Sequence, residues 1–167
     1  MEYGSRYMRA MRKGKGFTLI ELMVTVAVAA ILLTVGVPSF QYILQSSRVS
    51  TQTNELVTGL STARSEAIRR NQEVTVEPLG EAWVGGFRLA LGNDELRRFE
   101  DFGAAISLDI APDNVTFDGN GRRALSADTV RFEMQPENNC MGDMRRIITI
   151  SPGGSVRTDR AECTDND

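Results

Sequence analysis

An uncharged apolar segment beside a basic N-terminus constrains this chain more than any other feature of its sequence. No charged residue occurs between Glu21 and Arg48, and the apolar part of this interval is the 19-residue segment Leu22 to Phe40. A helix rises about 1.5 Å per residue, so this segment spans roughly 28 Å, close to the hydrocarbon thickness of a bilayer. We therefore expect a helix whose first half, about residues 18–40, is transmembrane.

The charges of the chain are distributed unevenly around this segment. Residues 1–16 carry five basic residues and one acidic residue, a net charge of +4, whereas the remainder carries 14 basic and 21 acidic residues, a net charge of −7. A basic start is typical of a targeting segment, and it predicts a cytoplasmic N-terminus and an exported remainder. An ordinary cleaved signal peptide and a plain N-terminal anchor are alternatives, but no convincing small-x-small cleavage site follows the apolar segment.

The composition argues against catalysis and metal binding. The chain has no histidine and only two cysteines among its 167 residues. This excludes histidine metal sites, Ser-His-Asp and Cys-His nucleophile systems, and a four-cysteine zinc site. The segment Asp118-Gly119-Asn120-Gly121 is typical of a turn, and the EF-hand spacing is absent. We predict neither an enzyme nor a bound metal or cofactor.

A stripe of apolar and small residues predicts that the helix continues past the membrane segment to about residue 70. The stripe has spacings of four and three residues and consists of Val49, Thr53, Leu56, Leu60, Ala63 and Ala67. Such a stripe packs against another surface. We expect that surface to be the protein's own head, with a coiled coil between subunits as the alternative.

Short strands and turns follow from residue 71 to residue 167. The strands that we predict are residues 73–77, 83–91, 95–99, 115–117, 129–134 and 145–150, with a weaker strand at 155–157. The aromatic core that we expect is Trp83, Phe87, Phe99, Phe117 and Phe132. The predicted fold is therefore α+β, with one long N-terminal helix packed on a mostly antiparallel β-sheet head.

The residues around Glu21 carry a specific motif. In the sequence KGKGFTLIEL, Gly16 is followed by Phe17, and Glu21 interrupts the mostly apolar stretch that begins there. This motif resembles the processing site of type IV pilins and pseudopilins. The resemblance implies that a prepilin peptidase cleaves after Gly16, that the new N-terminus of Phe17 is methylated, and that residues 1–16 are a leader. It further implies that Glu21 pairs with the terminal amine of a neighbouring subunit during assembly.

The head refines this resemblance. Residues 56–78, 115–123 and 145–157 are similar to the GspH/FimT group of minor pilins and pseudopilins. The resemblance implies a structural subunit that primes assembly of, or caps, a type IV pilus or a type II secretion pseudopilus. Its partners would be other pilins or pseudopilins, the inner-membrane assembly platform and membrane lipid. It would reside in the bacterial inner membrane with a periplasmic head, and at the filament tip after assembly.

The two cysteines of an exported head are expected to pair. Cys140 and Cys163 lie in the last part of the chain. Disulfides persist in oxidising compartments, so we predict a bond between them that ties the C-terminal tail to the head.

DNA uptake during natural transformation is the alternative function. The candidate contacts are Arg157 and Arg160, followed by Arg122 and Arg123, since phosphate binding needs such cations on one surface. Related DNA-uptake pilins carry a Gly-Arg-x-Arg element in their final loop, whereas this chain has Gly154-Ser155-Val156-Arg157 and lacks the first arginine. Because the remainder of the chain is also acidic, we expect weak or no DNA binding at physiological salt.

Overall fold

The structure is a computed structural model that describes residues 16–100, 106–124 and 128–164, without the side chains of residues 35, 38 and 39. Of the predicted leader, only Gly16 lies within these residues. The chain divides into a first unit that ends at Ser39 and a second unit that begins at Phe40.

One helix, α1 (Leu19–Arg70), accounts for 52 residues. It begins after Thr18, whose hydroxyl accepts a hydrogen bond of 3.2 Å from the backbone N–H of Glu21 and so caps the first turn. It ends in a Schellman motif, in which Gln72 N–H donates to Ala67 O and Asn71 N–H donates to Ile68 O. Asn71 takes the left-handed conformation, with φ of 52°, that this motif requires.

In the first unit, the apolar side chains of α1 that the structure describes are exposed. Leu19, Ile31 and Leu32, for example, each expose about two thirds or more of their surface. In the part of the chain that the structure describes, no helix combines the length and the apolar character needed to cross a membrane.

The described residues of the head form two four-stranded sheets, and every strand pairing in them is antiparallel. The first sheet has the order β3-β2-β1-β5. Its strands are β1 (Val74–Pro78), β2 (Gly86–Leu91), β3 (Asp94–Glu100) and β5 (Val115–Phe117). The second sheet has the order β4-β6-β7-β8. Its strands are β4 (Ile106–Ile110), β6 (Val130–Pro136), β7 (Arg145–Ile150) and β8 (Val156–Ala161).

The strands differ from the prediction in three places. The predicted strand 83–91 begins as a 3₁₀ turn, Trp83–Gly85, because Gly86 has a φ of 98° and breaks the extended backbone before β2. Strand β4 was not predicted. Strand β8 extends to Ala161, beyond the predicted end at residue 157, because it pairs with β7 along the whole of its length.

The predicted stripe of α1 lies against the sheets. All six of its residues are buried, with Thr53 at 2% exposure and the others at 0–1%. The apolar members share one hydrophobic cluster with the predicted aromatic core, in which Phe87 and Phe99 stack at 4.5 Å and Trp83 meets Phe132 edge-on. The interpretation that the stripe packs against the protein's own head is therefore confirmed.

Candidate functional site

The predicted processing site lies just before the helix. Gly16 and Phe17 precede α1, and Phe17 exposes 78% of its surface. A Cβ atom added to Gly16 would meet no atom within 4 Å. Among the described residues, nothing therefore covers the bond between these two residues.

Glu21 lies in the first turn of α1. Thr18 and Glu21 have the spacing of a capping box, and the helix dipole favours a negative charge at this end. The hydrogen bond from Glu21 to Thr18 uses the backbone N–H of Glu21, so it does not depend on the carboxylate. The Glu21 side chain is exposed and has no ion-pair partner among the described residues.

A disulfide joins Cys140 to Cys163, with 5.7 Å between their Cα atoms, as the sequence predicts. The backbone N–H of Cys163 also donates to Gly142 O at 2.9 Å. Next to the disulfide, the buried side chain of Gln135 in β6 donates to Thr164 O and accepts from Thr164 N–H, both at 3.2 Å. The C-terminal segment is thus fixed to the second sheet by one covalent bond and several hydrogen bonds.

Removing this disulfide is expected to lower the free energy of unfolding by about 3 kcal/mol. The disulfide closes a loop between residues 140 and 163, and this loop reduces the conformational entropy of the unfolded chain. Urea titrations of the full chain in detergent, with and without reductant, measure the difference. The variant carrying Cys140→Ser and Cys163→Ser serves as the control, since its midpoint should not respond to reductant. Equal midpoints for the oxidised and reduced wild type would contradict the prediction.

The loop before β7 is hydrogen-bonded through Asp143 to both the helix α1 and the last strand, β8. Asp143 accepts from Tyr42 Oη of α1 at 3.4 Å and from Arg160 of β8 at 3.4 Å. The hydrogen bond from Arg160 is the main cause that lowers the pKa of Asp143 below its usual value.

The neighbouring Arg146 is 4% exposed. It donates to the carbonyls of Asp143, Met144 and Arg145 at 2.6–3.1 Å and to Ser50 Oγ of α1 at 3.3 Å. Burial is the main cause that lowers the pKa of this guanidinium. Arg146 therefore acts as a structural link between β7 and the helix.

Two of the four candidate DNA contacts lie on strand β8 and face in opposite directions. Successive side chains of a strand alternate between its faces, so Arg157 and Asp159 share one face and Arg160 projects from the other. Arg157 is paired with Asp159 at 3.7 Å, and Arg160 is paired with Asp143. The strand therefore does not present these two arginines on a single surface.

The other two candidates, Arg122 and Arg123, lie in the turn that follows β5. Asp118 Oδ1 accepts from the backbone N–H of Arg122 at 2.9 Å, and the side chain of Arg122 is exposed. The side chain of Arg123 donates to Asp128 O, and its backbone N–H donates to Pro152 O at 3.1 Å. Arg123 is therefore part of the contact between two turns of the head.

These two turns, residues 118–123 and 151–155, meet over the helix. A Cβ atom on Gly121 would lie 2.6 Å from Ile68 Cδ1 and 3.1 Å from Arg64 Nε, and one on Gly154 would collide with Gly121 O. Both glycines have positive φ angles, 73° and 78°. We call this contact of the two turns with Arg64 and Ile68 the turn junction. The local sequence around Arg64 does not mark it as a site residue, because the turns that enclose it are distant in the chain.

This fold and the N-terminal motif place the chain among type IV pilin-like proteins. The family described as "Type II transport protein GspH" matches residues 52–154, and the "Prokaryotic N-terminal methylation motif" matches residues 11–37. The chain therefore belongs to the GspH family, as the sequence resemblance predicts.

Individual relatives agree with this assignment. A "Pilin-like protein PilA1" of Thermus thermophilus is 30% identical over 135 residues, which are 78% of this chain and 72% of that protein. A "Fimbrial protein" of Pseudomonas aeruginosa is 39% identical over 64 residues, 38% of this chain, and the alignment spans only 41% of that relative's length.

Solved structures match the fold. The type IV minor pilin FimU of Pseudomonas aeruginosa superposes with a TM-score of 0.58 at 21% identity, covering 71% of this chain and 90% of that one. The minor pseudopilin EpsH of the Vibrio cholerae type 2 secretion system gives a TM-score of 0.52 at 12% identity, covering 68% and 97%.

Proposed function

We propose that this chain is a minor pilin or pseudopilin that primes assembly of, or caps, a type IV pilus or a type II secretion pseudopilus. The observation that carries the proposal is that an N-terminal methylation motif and a GspH head occur in one chain. The single helix α1 joins them without interruption. The partners are a prepilin peptidase, other pilins or pseudopilins, and the inner-membrane assembly platform.

The apolar segment holds the subunit in the inner membrane before assembly, in contact with membrane lipid. This part of the proposal rests on the sequence, which has no charge between Glu21 and Arg48 and a basic segment before it. The disulfide between Cys140 and Cys163 agrees with a periplasmic head, since such bonds form in oxidising compartments. After assembly the subunit occupies the filament tip.

Cleavage after Gly16 is the first expected result of this proposal. Mass spectrometry of the protein extracted from membranes should find N-methylated Phe17 as the first residue. Gly16→Ala should be cleaved poorly, because the peptidase must approach a backbone that a Cβ atom would obstruct. The matched control is Gly14→Ala, which leaves the cleaved bond unchanged. Retention of residues 1–16 by the wild type in cells with active peptidase would refute the proposal.

Glu21→Ala should leave cleavage intact but reduce incorporation into filaments by at least about tenfold. A carboxylate in an apolar environment gains most from a cationic partner, and the terminal amine of a neighbouring subunit supplies one. The cap at Thr18 survives the substitution, because it uses the backbone N–H of residue 21.

Immunoblotting of sheared filaments against membrane fractions measures this incorporation. The control is Thr25→Ala, because the hydroxyl of Thr25 donates to Leu22 O of the same helix and has no other hydrogen bond among the described residues. Wild-type incorporation of Glu21→Ala would show that the charge is dispensable. Pilus counts and secretion assays of the same strains would identify which filament the subunit serves.

A further inference from the structure

An arginine without an acidic partner borders a cavity beside the turn junction. The cavity, of about 460 Å³, lies between one face of α1, which contributes Arg64, and residues 154–156. Among the described residues, Arg64 makes no ion pair and donates no hydrogen bond, and its Nε is buried without an acceptor. The other arginines near this end of the helix, Arg69 and Arg70, both pair with Glu66.

The turn junction fixes the position of this guanidinium. Gly121 and Gly154 approach so closely that Cβ atoms there would lie 3.1 and 3.2 Å from Arg64 Nε. The glycines therefore enclose the Nε side of the group, and the two terminal nitrogens are the donors that stay accessible. A guanidinium held in this way loses little freedom when an anion binds, and it presents two parallel N–H groups that match a carboxylate.

The other described residues of the cavity wall are uncharged. Ser61 and Ser65 contribute hydroxyl groups from the helix, while Ile68 and Val156 contribute apolar surface. Ile68 is half exposed. A wall of this kind suits an acidic side chain whose neighbours in a peptide are apolar. A nucleic acid strand instead needs several cations along its path, and Arg64 is the only charged residue among the described residues that line the cavity.

We propose that this cavity binds a peptide segment of a partner protein through one side-chain carboxylate, which Arg64 clamps while Ile68 and Val156 contact the flanking apolar side chains. The inference goes beyond the proposed function and does not depend on cleavage, methylation or Glu21.

Nuclear magnetic resonance of the arginine side chains tests the proposal directly. The full chain, labelled with ¹⁵N-arginine and held in detergent, is titrated with the peptide acetyl-Val-Glu-Val-amide. The resonance of Arg64 Nε–Hε, assigned by its loss in Arg64→Lys, should shift saturably. The glutamine peptide acetyl-Val-Gln-Val-amide should bind at least about tenfold more weakly, because the charge-assisted hydrogen bonds are lost.

Variants and other anions complete the test. Arg64→Gln should abolish saturable binding, as followed by the Val156 methyl resonances. Arg69→Gln, on the same helix and paired with Glu66, should bind as the wild type does. If Arg64→Gln fails to fold, the comparison of the two peptides on the wild type still decides the question. Saturation by inorganic phosphate or a 12-nucleotide single-stranded DNA but not by the glutamate peptide, equal binding of both peptides, or no shift of Arg64 would each overturn the proposal.

Discussion

Replacing Gly154 with alanine is expected to destabilise the head by about 3 kcal/mol or more, a large part of the 5–15 kcal/mol that typically holds a domain folded. Gly154 has a φ of 78°, which costs a residue with a Cβ atom about 1–2 kcal/mol. The added atom would also collide with Gly121 O in the turn junction, and forcing such a contact costs about 1–3 kcal/mol more.

Substitutions at two further glycines separate the cost of the positive φ angle from the cost of the steric collision. Gly153→Ala should be nearly neutral, because its φ is not positive and its nearest neighbour, Ser151 Oγ, lies 3.8 Å away. Gly92→Ala should show the backbone cost alone, since its φ is 59° and no atom lies within 4 Å of the added Cβ. Urea titrations of the three variants in detergent give the free energies of unfolding. If Gly154→Ala is no less stable than Gly92→Ala, the two turns do not meet as described.

Glu133→Ala should cost about 3 kcal/mol, because the substitution leaves a mostly buried cation without its partner. Glu133 of β6 is 2% exposed. Its carboxylate pairs with Arg145 of β7, whose side chain is 16% exposed, and with the more exposed Arg131. This free-energy cost is that of removing one partner from the buried ion pair, and it differs from the net contribution of the pair to stability.

The control for Glu133 is Glu95→Ala, which breaks an ion pair with Arg98, whose side chain is half exposed. Exposed ion pairs contribute little to stability, so this variant should stay close to the wild type. Replacing both Glu133 and Arg145 with methionine should restore most of the stability lost in Glu133→Ala, since no buried charge is then unpaired and the side chain of Arg131, which also loses Glu133, is more than half exposed. Equal losses for Glu133→Ala and Glu95→Ala would contradict the assignment of Glu133 as a buried charge.

Local patterns were sufficient to predict α1 and most strands. The spacing of Val49, Leu56 and Ala63 identifies the buried face, because the period of a helix alone decides which side chains share a side. Strand β4 was not predicted, although its sequence ISLDI alternates apolar and polar residues and the turn residues Pro112 and Asp113 follow it. The division into two sheets was also not predicted, since pairing between distant strands leaves little trace in local sequence.

The candidate site was predictable only where its chemistry is contiguous in the chain. Gly16, Phe17 and Glu21 belong to one short motif, and the cysteines have no other partners available. Arg64 could not be found in this way, because its surroundings depend on two turns that come together only after the sheets have formed. The signal present in the sequence is the pair of glycines itself, since Gly121 and Gly154 lie in glycine-containing turns and both take positive φ angles in the structure.

Strand β8 has a consequence for how heads can stack against one another. In the described part of the chain it pairs only with β7. The backbone N–H and C=O groups of its outer edge could therefore form hydrogen bonds with a strand of another protein molecule. Arg157, Asp159 and Arg160 are exposed along that edge, and charges of this kind discourage strand addition and amyloid-like growth. These arginines therefore have a protective role that needs no nucleic acid. Contacts between heads in a polymer are accordingly expected to form through side-chain surfaces rather than by extension of the second sheet.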